Sequence, residues 1–503
     1  MASQEAQIFR SAVTRLLGLQ FGDDKLDFLE SVLARRAKEA GQDTGSYLRG
    51  LAEGPTGSGE AGALAEALTV TETFFLRNGD HFRALVSEAI PRRLQAGLPS
   101  RRLRMVSAAC ASGEEAYSLA MVLRENFPEL APGDLSITAV DINPAMLRLA
   151  AAALYSPWAM RETPPAMRDT YFRAVGKNFQ VREDIRDAVR FEHRNLVEPN
   201  SDLWQPSSLD VVFCRNMLMY LSPEAAVVLV SRIARALAPG GYLFLGHAET
   251  LRGLSRDFHL CHTHETFYYR RQDGADILDL SIPRESPAPA AVEPAAAWLG
   301  TLSWMDAIQR SSNRIAELAQ AAPPGDSSAP PRTGPAAESR NLAPVLELMG
   351  RERFADALES LERITQGGQQ DGDALLLGAV LQANLGRLAE AREACQRLLV
   401  GDEFNAGAHY VMALCREHAG EVAAAAEEDR TAVYLDPSFA LPHLHLGLLA
   451  RKEEPRRSRV YLEQALQLLA REDSSRVLLF GGGFSRQGLL QICRNALDSC
   501  EVA

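Results

Sequence analysis

"SAACASGEEAYSLAM", residues Ser107 to Met121, is the stretch on which the fold turns. It begins in the strand-like run "LRMVSAAC" and ends in "EEAYSLAMVLRENF", whose apolar spacing is helical, so it is a strand-to-helix turn. Such a turn sets a helix N-terminus, with its N–H groups and partial positive charge, at the carboxyl end of a strand. Phosphate-binding turns of this kind use several glycines so that the backbone can approach the anion. Here Gly113 stands alone and Glu114 and Glu115 follow it. Two carboxylates repel a pyrophosphate and suit a ligand with a cationic part and hydroxyls.

Outward from this turn, "LSITAVDI", "AVRFEHRN", "LDVVFCRN", "GYLFLGHA" and "HETFYYRR" have strand composition, and "PAMLRLAAAAL" and "PEAAVVLVSRIARAL" have helical spacing. The alternation predicts a mostly parallel sheet with helices on its faces over residues 69–272, with function at the carboxyl ends of the strands. "APGG", Ala238 to Gly241, is expected to end the last helix and turn the chain into a strand. Asp141 in "AVDINPAM" falls at the end of the second strand, where an acid commonly takes a ribose diol. A ribose bearing a positive group in place of phosphates describes S-adenosylmethionine. Helix capping is the competing reading for Glu114, Glu115 and Asp141, and it is preferred for Glu115.

The rest of the 503 residues predicts a multidomain chain. Residues 1–68 form a helical domain, with Leu26, Phe28, Leu29, Val32 and Leu33 on one face and Arg35, Arg36 and Lys38 at the trailing end. Nine of the 26 prolines lie between Pro283 and Pro335, which marks 273–340 as a linker; within it "AWLGTLSWMDAIQR" is a candidate docking helix. Beyond 341, Gly386 and Gly420 stand 34 residues apart, as do Ala391 and Ala425, Ala406 and Ala440, and Asp402 and Asp436. That period resembles the all-α tetratricopeptide repeat, over 341–472, with 473–503 as a capping segment.

A net charge of -12 argues against nucleic acid as partner. The absence of a long apolar run argues against membrane insertion, and the N-terminus has no signal-peptide pattern. Seven cysteines without a C-x-x-C pair suit a reducing cytoplasm. "CHTHE", Cys261 to Glu265, has metal-ligand residue types but no second cluster beside it, so no metal is expected.

"LTVTETFFLRNGDHF", "SAACASGEEAYSLAM", "ITAVDINPAMLRLA", "FEHRNL", "LDVVFCRNMLMYL" and "APGGYLFLGHAE" together resemble, in order and spacing, the motifs of the CheR chemotaxis receptor methyltransferases. The resemblance covers residues 1–272 and implies a class I S-adenosylmethionine-dependent α/β methyltransferase domain behind the helical one. It implies that Thr71, Thr73 and Arg77 line the cofactor site, with Arg77 at the methyl end. Glu114 would hold the cofactor, Asp141 its ribose, and Asn195 and Leu196 the adenine. Arg215 and Asn216 would close the pocket, and Tyr220, with Arg77, would serve catalysis. Thr71 departs from the asparagine common in the family. The implied activity is methylation of glutamate γ-carboxylates on the cytoplasmic domain of chemoreceptors, with a further protein partner held by the repeats. The alternative is a catalytically weak cofactor-binding protein that acts through its repeats. Family members can carry a receptor-tail docking strand within "YFRAVGKNFQVREDIRDAV".

Overall fold

The computed structural model describes residues 4–53, 58–96, 102–131, 133–247, 249–272, 342–350, 353–365, 372–451, 453–481 and 486–501. The expected linker and its tryptophan-bearing island lie outside these. The chain divides into two units, Met1–Ile282 and Pro283–Ala503.

The first unit begins with four helices, Gln4–Leu17, Leu26–Glu39, Thr44–Glu53 and Ser58–Leu68. Leu29, Val32 and Leu33 pack with Phe9, Val13 and Leu64 in one apolar cluster, while Phe28 remains 43% exposed. Arg36 does not belong to an open basic patch. Its guanidinium hydrogen-bonds Glu60 at 2.7 and 2.9 Å and pins the second helix to the fourth; Arg35 and Lys38 stay exposed.

Ten strands follow: β1 Leu103–Ala108, β2 Leu135–Asp141, β3 Leu154–Tyr155, β4 Phe172–Val175, β5 Asn178–Val181, β6 Val189–His193, β7 Leu209–Cys214, β8 Leu237–Leu245, β9 Phe258–Thr263 and β10 Thr266–Arg271. The main sheet runs β6-β2-β1-β7-β8-β10-β9. Its first five strands are parallel, and β10 is antiparallel to both neighbours. The order reverses at β1, so the crevice expected of a doubly wound sheet opens there, between β1 and its neighbours.

"APGG" follows the end of the last helix as expected, with Gly240 left-handed at φ 66°, but it lies within the strand that begins at Leu237. The Pro223–Ala236 helix passes straight into β8, where Leu237 pairs with Leu209 and Tyr242 with Val211, leaving Ala238 to Gly241 as a bulge. Bulges of this kind bend an otherwise regular strand. "CHTHE" closes the β9–β10 hairpin through His264 and Glu265, at φ 50° and 60°, the two left-handed residues of a type I′ turn. The strands β3, β5 and β4 form a separate antiparallel sheet in which Arg173, Ala174 and Val175 of edge strand β4 are exposed. Its signal was the two-residue turn Gly176-Lys177, with glycine at φ 61°.

Among the described residues of the second unit, a first helix pair, Ala343–Gly350 with Phe354–Thr365, is followed by three that repeat at a 34-residue step: Gly372–Asn384 with Leu388–Gly401, Ala406–His418 with Val422–Leu435, and Ala440–Ala450 with Pro455–Leu469. Gly386 and Gly420, both left-handed, turn the chain within their pairs. Ala379 and Ala413 are fully buried, and at the third equivalent position, Gly447, a Cβ would stand 2.6 Å from Leu462. The small residues of the 34-residue step thus mark where helices cross too closely for a larger side chain.

Candidate active site

A cavity of about 750 Å³ opens at the carboxyl ends of β1, β2, β6 and β7. The N-terminal helices supply part of its wall through Leu17, Phe21 and Phe28. Five non-glycine residues at or beside it are left-handed: Leu76, Asn78, Ala109, Ala111 and Asn216, with φ from 46° to 60°. Each such residue costs about 1 kcal/mol, so the loops are held open against their own preference by the packing around them.

Asp141 ends β2 and is 7% exposed. Its two oxygens accept the amide N–H groups of Ala111 and Asn143, each at 2.8 Å. Burial pushes its pKa up, and these amides pull it back. A carboxylate has about four lone-pair sites, so two remain for a diol. The adjacent glutamates turn to different partners. Glu115 lines the cavity, accepts from Ser107 Oγ at 2.7 Å and pairs with Arg215 at 3.3 Å; it caps nothing. Glu114 is buried outside the lining and accepts from Ser112 Oγ. Successive helical residues point about 100° apart, so the two side chains leave the turn in different directions. Gly113 precedes the helix at φ 91°, where a Cβ would meet Ala150 and Phe191 at 2.9 Å.

Thr71, Thr73 and Arg77 line the cavity from the segment after the fourth helix. Phe74 lies 5.7 Å from the Arg77 guanidinium, whereas Phe75 is fully buried and packs edge-on against Tyr155 and Phe172. Arg215, Asn216 and Tyr220 line it from the loop after β7. The terminal nitrogens of the Arg215 guanidinium donate to the carbonyl of Arg77 at 2.7 Å, to Asn78 Oδ1, and to Glu115, while its buried Nε has no hydrogen-bond partner. Burial lowers its pKa, and Glu115 opposes this. Asn195 and Leu196 line the cavity beyond β6, and the Asn195 amide donates to the carbonyl of Leu16 at 2.8 Å, so this side chain also ties the sheet to the first helix.

Tyr220 is 39% exposed, and its neighbours are sewn to the N-terminal domain. Gln20 N donates to Tyr220 O and Ser222 N to Gly18 O, each at 2.8 Å, around a Leu19–Leu221 bridge. Glu249 was missed in the sequence. Its carboxylate accepts the amides of Asn216 at 2.6 Å, Met217 and Gly246 at 2.7 Å, and Met219 at 3.3 Å, and so shapes the loop that carries Tyr220. The only sequence signal was an acid shortly after the end of a core strand. Cys214 is fully buried and burial raises its thiol pKa, which fits packing and not nucleophilic chemistry. His247 stacks on buried His81 at 4.8 Å, and burial, helped by the Arg215 charge, lowers the pKa of both imidazoles.

The cavity therefore offers carboxylates, threonines and a strand-end acid, and its polar chemistry fits a ribose with a cationic substituent. A family model described as the CheR methyltransferase, SAM binding domain, matches residues 71–267. Over 273 residues the chain is 33% identical to chemotaxis protein methyltransferase 2 of Vibrio cholerae, covering 53% of this chain and 92% of that protein. Over 447 residues it is 30% identical to the probable biofilm formation methyltransferase WspC of Pseudomonas putida, covering 88% of this chain and 93% of that one. A solved tetratricopeptide repeat protein of Thermus thermophilus is 24% identical over 32% of this chain and 84% of its own, with a TM-score of 0.26. The chain belongs to the CheR family of methyltransferases, with S-adenosylmethionine as its cofactor.

Proposed function

We propose that the protein methylates glutamate γ-carboxylates on the cytoplasmic domain of a chemoreceptor, and that its repeats hold it to a further protein partner. The observation that supports this reading is the cavity itself. Arg77, Tyr220 and the strand-end acid Asp141 line one cavity, and Leu17, Phe21 and Phe28 of the N-terminal helical domain line it with them. When bound, the cofactor supplies a methyl group on a positively charged sulfur.

In this reading Asp141 takes the ribose, and Glu115, in place of Glu114, meets the cationic end. Thr71, Thr73, Asn195, Leu196 and Asn216 complete the cofactor site, and Arg215 positions Arg77 and Glu115. A glutamate side chain has a pKa of about 4.3 and is already ionised at neutral pH, so no general base is needed. The new oxygen–carbon bond forms as the carbon–sulfur bond breaks, and the electron pair leaves with sulfur. Arg77 orients the carboxylate through its planar fork, and Tyr220 hydrogen-bonds it. Because the attacking oxygen loses charge in the transition state, Arg77 must not hold it too tightly. Each ester removes one negative charge from a receptor helix and shifts its signalling equilibrium. The relatives matched along both halves of the chain are named probable biofilm formation methyltransferases, which favours a chemosensory-type pathway of that kind over swimming.

The test is incubation with methyl-labelled cofactor and receptor cytoplasmic fragments, scoring base-labile label. Arg77→Ala should abolish transfer with cofactor binding largely kept, and Asp141→Ala should lose cofactor binding first. Full activity in both variants would refute the site. Tight cofactor binding by the unaltered protein with no transfer to any receptor would favour the interaction-protein reading.

A further inference from the structure

The first helices of the three repeat units start at Gly372, Ala406 and Ala440, 34 residues apart, and one more step lands on Ser474. A short helix, Ser474–Phe480, begins there. The helix that packs along Pro455–Leu469 is the last one, Arg486–Glu501. The Phe480 ring instead turns back to the second repeat. It lies 5.3 Å from the Tyr410 ring, edge-on, and 4.6 Å from Phe439. Its Cζ stands 2.7 Å from where a Cβ on Gly407 would be, and Leu376 of the preceding repeat's Gly372–Asn384 helix is 3.2 Å from the same point. The first helices of these two repeats touch, and Leu376, Gly407 and Tyr410 lie on them around the Phe480 ring; stacks of this kind offer a concave surface to ligands.

The segment is anchored at a second point one helical turn earlier. Arg476 is buried, ion-pairs with Asp436, donates to Ser438 Oγ at 3.2 Å and lies 4.6 Å over the Phe439 ring. Glu472 accepts the amide of Ala440 at 2.9 Å. Arg476 and Phe480 are four residues apart and therefore share one helix face. Gly407 is the feature that admits the ring, since any side chain there would occupy its place.

We infer that the Glu472–Phe480 segment is an internal occupant of the repeats' ligand groove, and that the partner is a protein helix presenting a cation and, one turn later, a phenyl ring. This rests on the reading that the repeats bind a partner. The incoming helix competes with a tethered segment of the same chemistry, so its apparent affinity is reduced by the fraction of time the groove is occupied.

The probe is a labelled peptide of this chain's own sequence, "AREDSSRVLLFG", residues 470–481, titrated into the full chain. Phe480→Ala should bind it at least about tenfold more tightly than the unaltered chain does, by removal of the internal competitor. Binding should vanish when the peptide's own phenylalanine is replaced by alanine. It should also vanish in a Phe480→Ala, Gly407→Leu double variant whose helical circular dichroism is retained. Equal binding by the unaltered chain and Phe480→Ala, or none by a folded Phe480→Ala, would overturn the inference. So would a concentration-dependent dimer that Phe480→Ala dissolves, because the occupant would then be a second copy. None of these readouts involves methyl transfer, so a failure here is distinguishable from a failure of the receptor-methylation assay.

Discussion

Replacing Glu249 by glutamine tests whether the loop carrying Asn216 and Tyr220 is held by a single buried carboxylate. Oε2 accepts the amides of Asn216 and Gly246, and Oε1 those of Met217 and Met219. Glutamine retains one acceptor oxygen and turns an NH₂ group toward two amides that are themselves donors. Hydrogen bonds to a charged group contribute about 1.5 to 3 kcal/mol each, so losing two costs about 3 kcal/mol at the low end. If only the loop gives way, the cofactor must reorder it on binding, and a cost of about 3 kcal/mol weakens the Kd about 100-fold. If instead the whole first unit is destabilised, its Tm falls by about 6 to 12 °C for a unit of this size. Calorimetric titration with S-adenosylmethionine and thermal melting of the full chain together capture both routes. A Glu249→Gln variant with unaltered Kd and unaltered melting would refute the assignment of this carboxylate as the loop's support.

Two further perturbations follow from the geometry. Gly113→Ala places a Cβ 2.9 Å from Ala150 and Phe191 at a left-handed φ, and strain and overpacking together should destabilise the first unit by about 3 kcal/mol; denaturant titration alongside cofactor titration checks this, and both midpoints should fall. In the repeats, burial opposes the charge on His445, but Asp429 at 2.6 Å and Glu417 at 3.0 Å outweigh it and push its pKa up to about 10. A folded pKa above the unfolded value of about 6.5 means stability that is complete below about pH 6.5 and is lost as pH rises towards 10. Asp429, raised to about 6 by burial, acts in the same direction at lower pH. The melting temperature of the second unit should therefore decline from pH 7 to 10, and in His445→Gln it should decline less; an equal decline in both proteins excludes His445 as the cause.

Much of this was legible in the sequence because long elements announce themselves by period. β1, β2, β6, β7 and β8 each combine apolar runs with a helix or turn signal, and the 34-residue step survives in single alanines and glycines. The failures were local. β3 has two residues, too few for any alternation, and the bulge at Ala238 to Gly241 carries the same residues as a turn. Which of Glu114 and Glu115 faces the crevice depends on the direction in which their side chains leave the turn, which composition does not encode. The pairing of Arg36 was not legible because its partner Glu60 lies 24 residues away on another helix. Glu249 was silent for the opposite reason: its partners are backbone amides, which every residue has.

The position of Tyr220 shows why the N-terminal helices belong to the site and are not an appended module. The residue sits in a loop whose backbone on one side is held by Glu249, within the sheet domain, and on the other by Gly18 and Gln20, from the helical domain. Gly18 is left-handed at φ 71°, and a Cβ there would stand 2.5 Å from Val197, so the two domains meet at a contact that tolerates no side chain. A methyl transfer that uses no general base depends on placement, and displacement of the reacting groups by about 1 Å can cost about 100-fold in rate. Tyr220 is therefore placed by two domains at once. On the proposed reading, in which Tyr220 serves catalysis, a change in the Gly18–Gln20 backbone would reach the reacting groups through the same few hydrogen bonds.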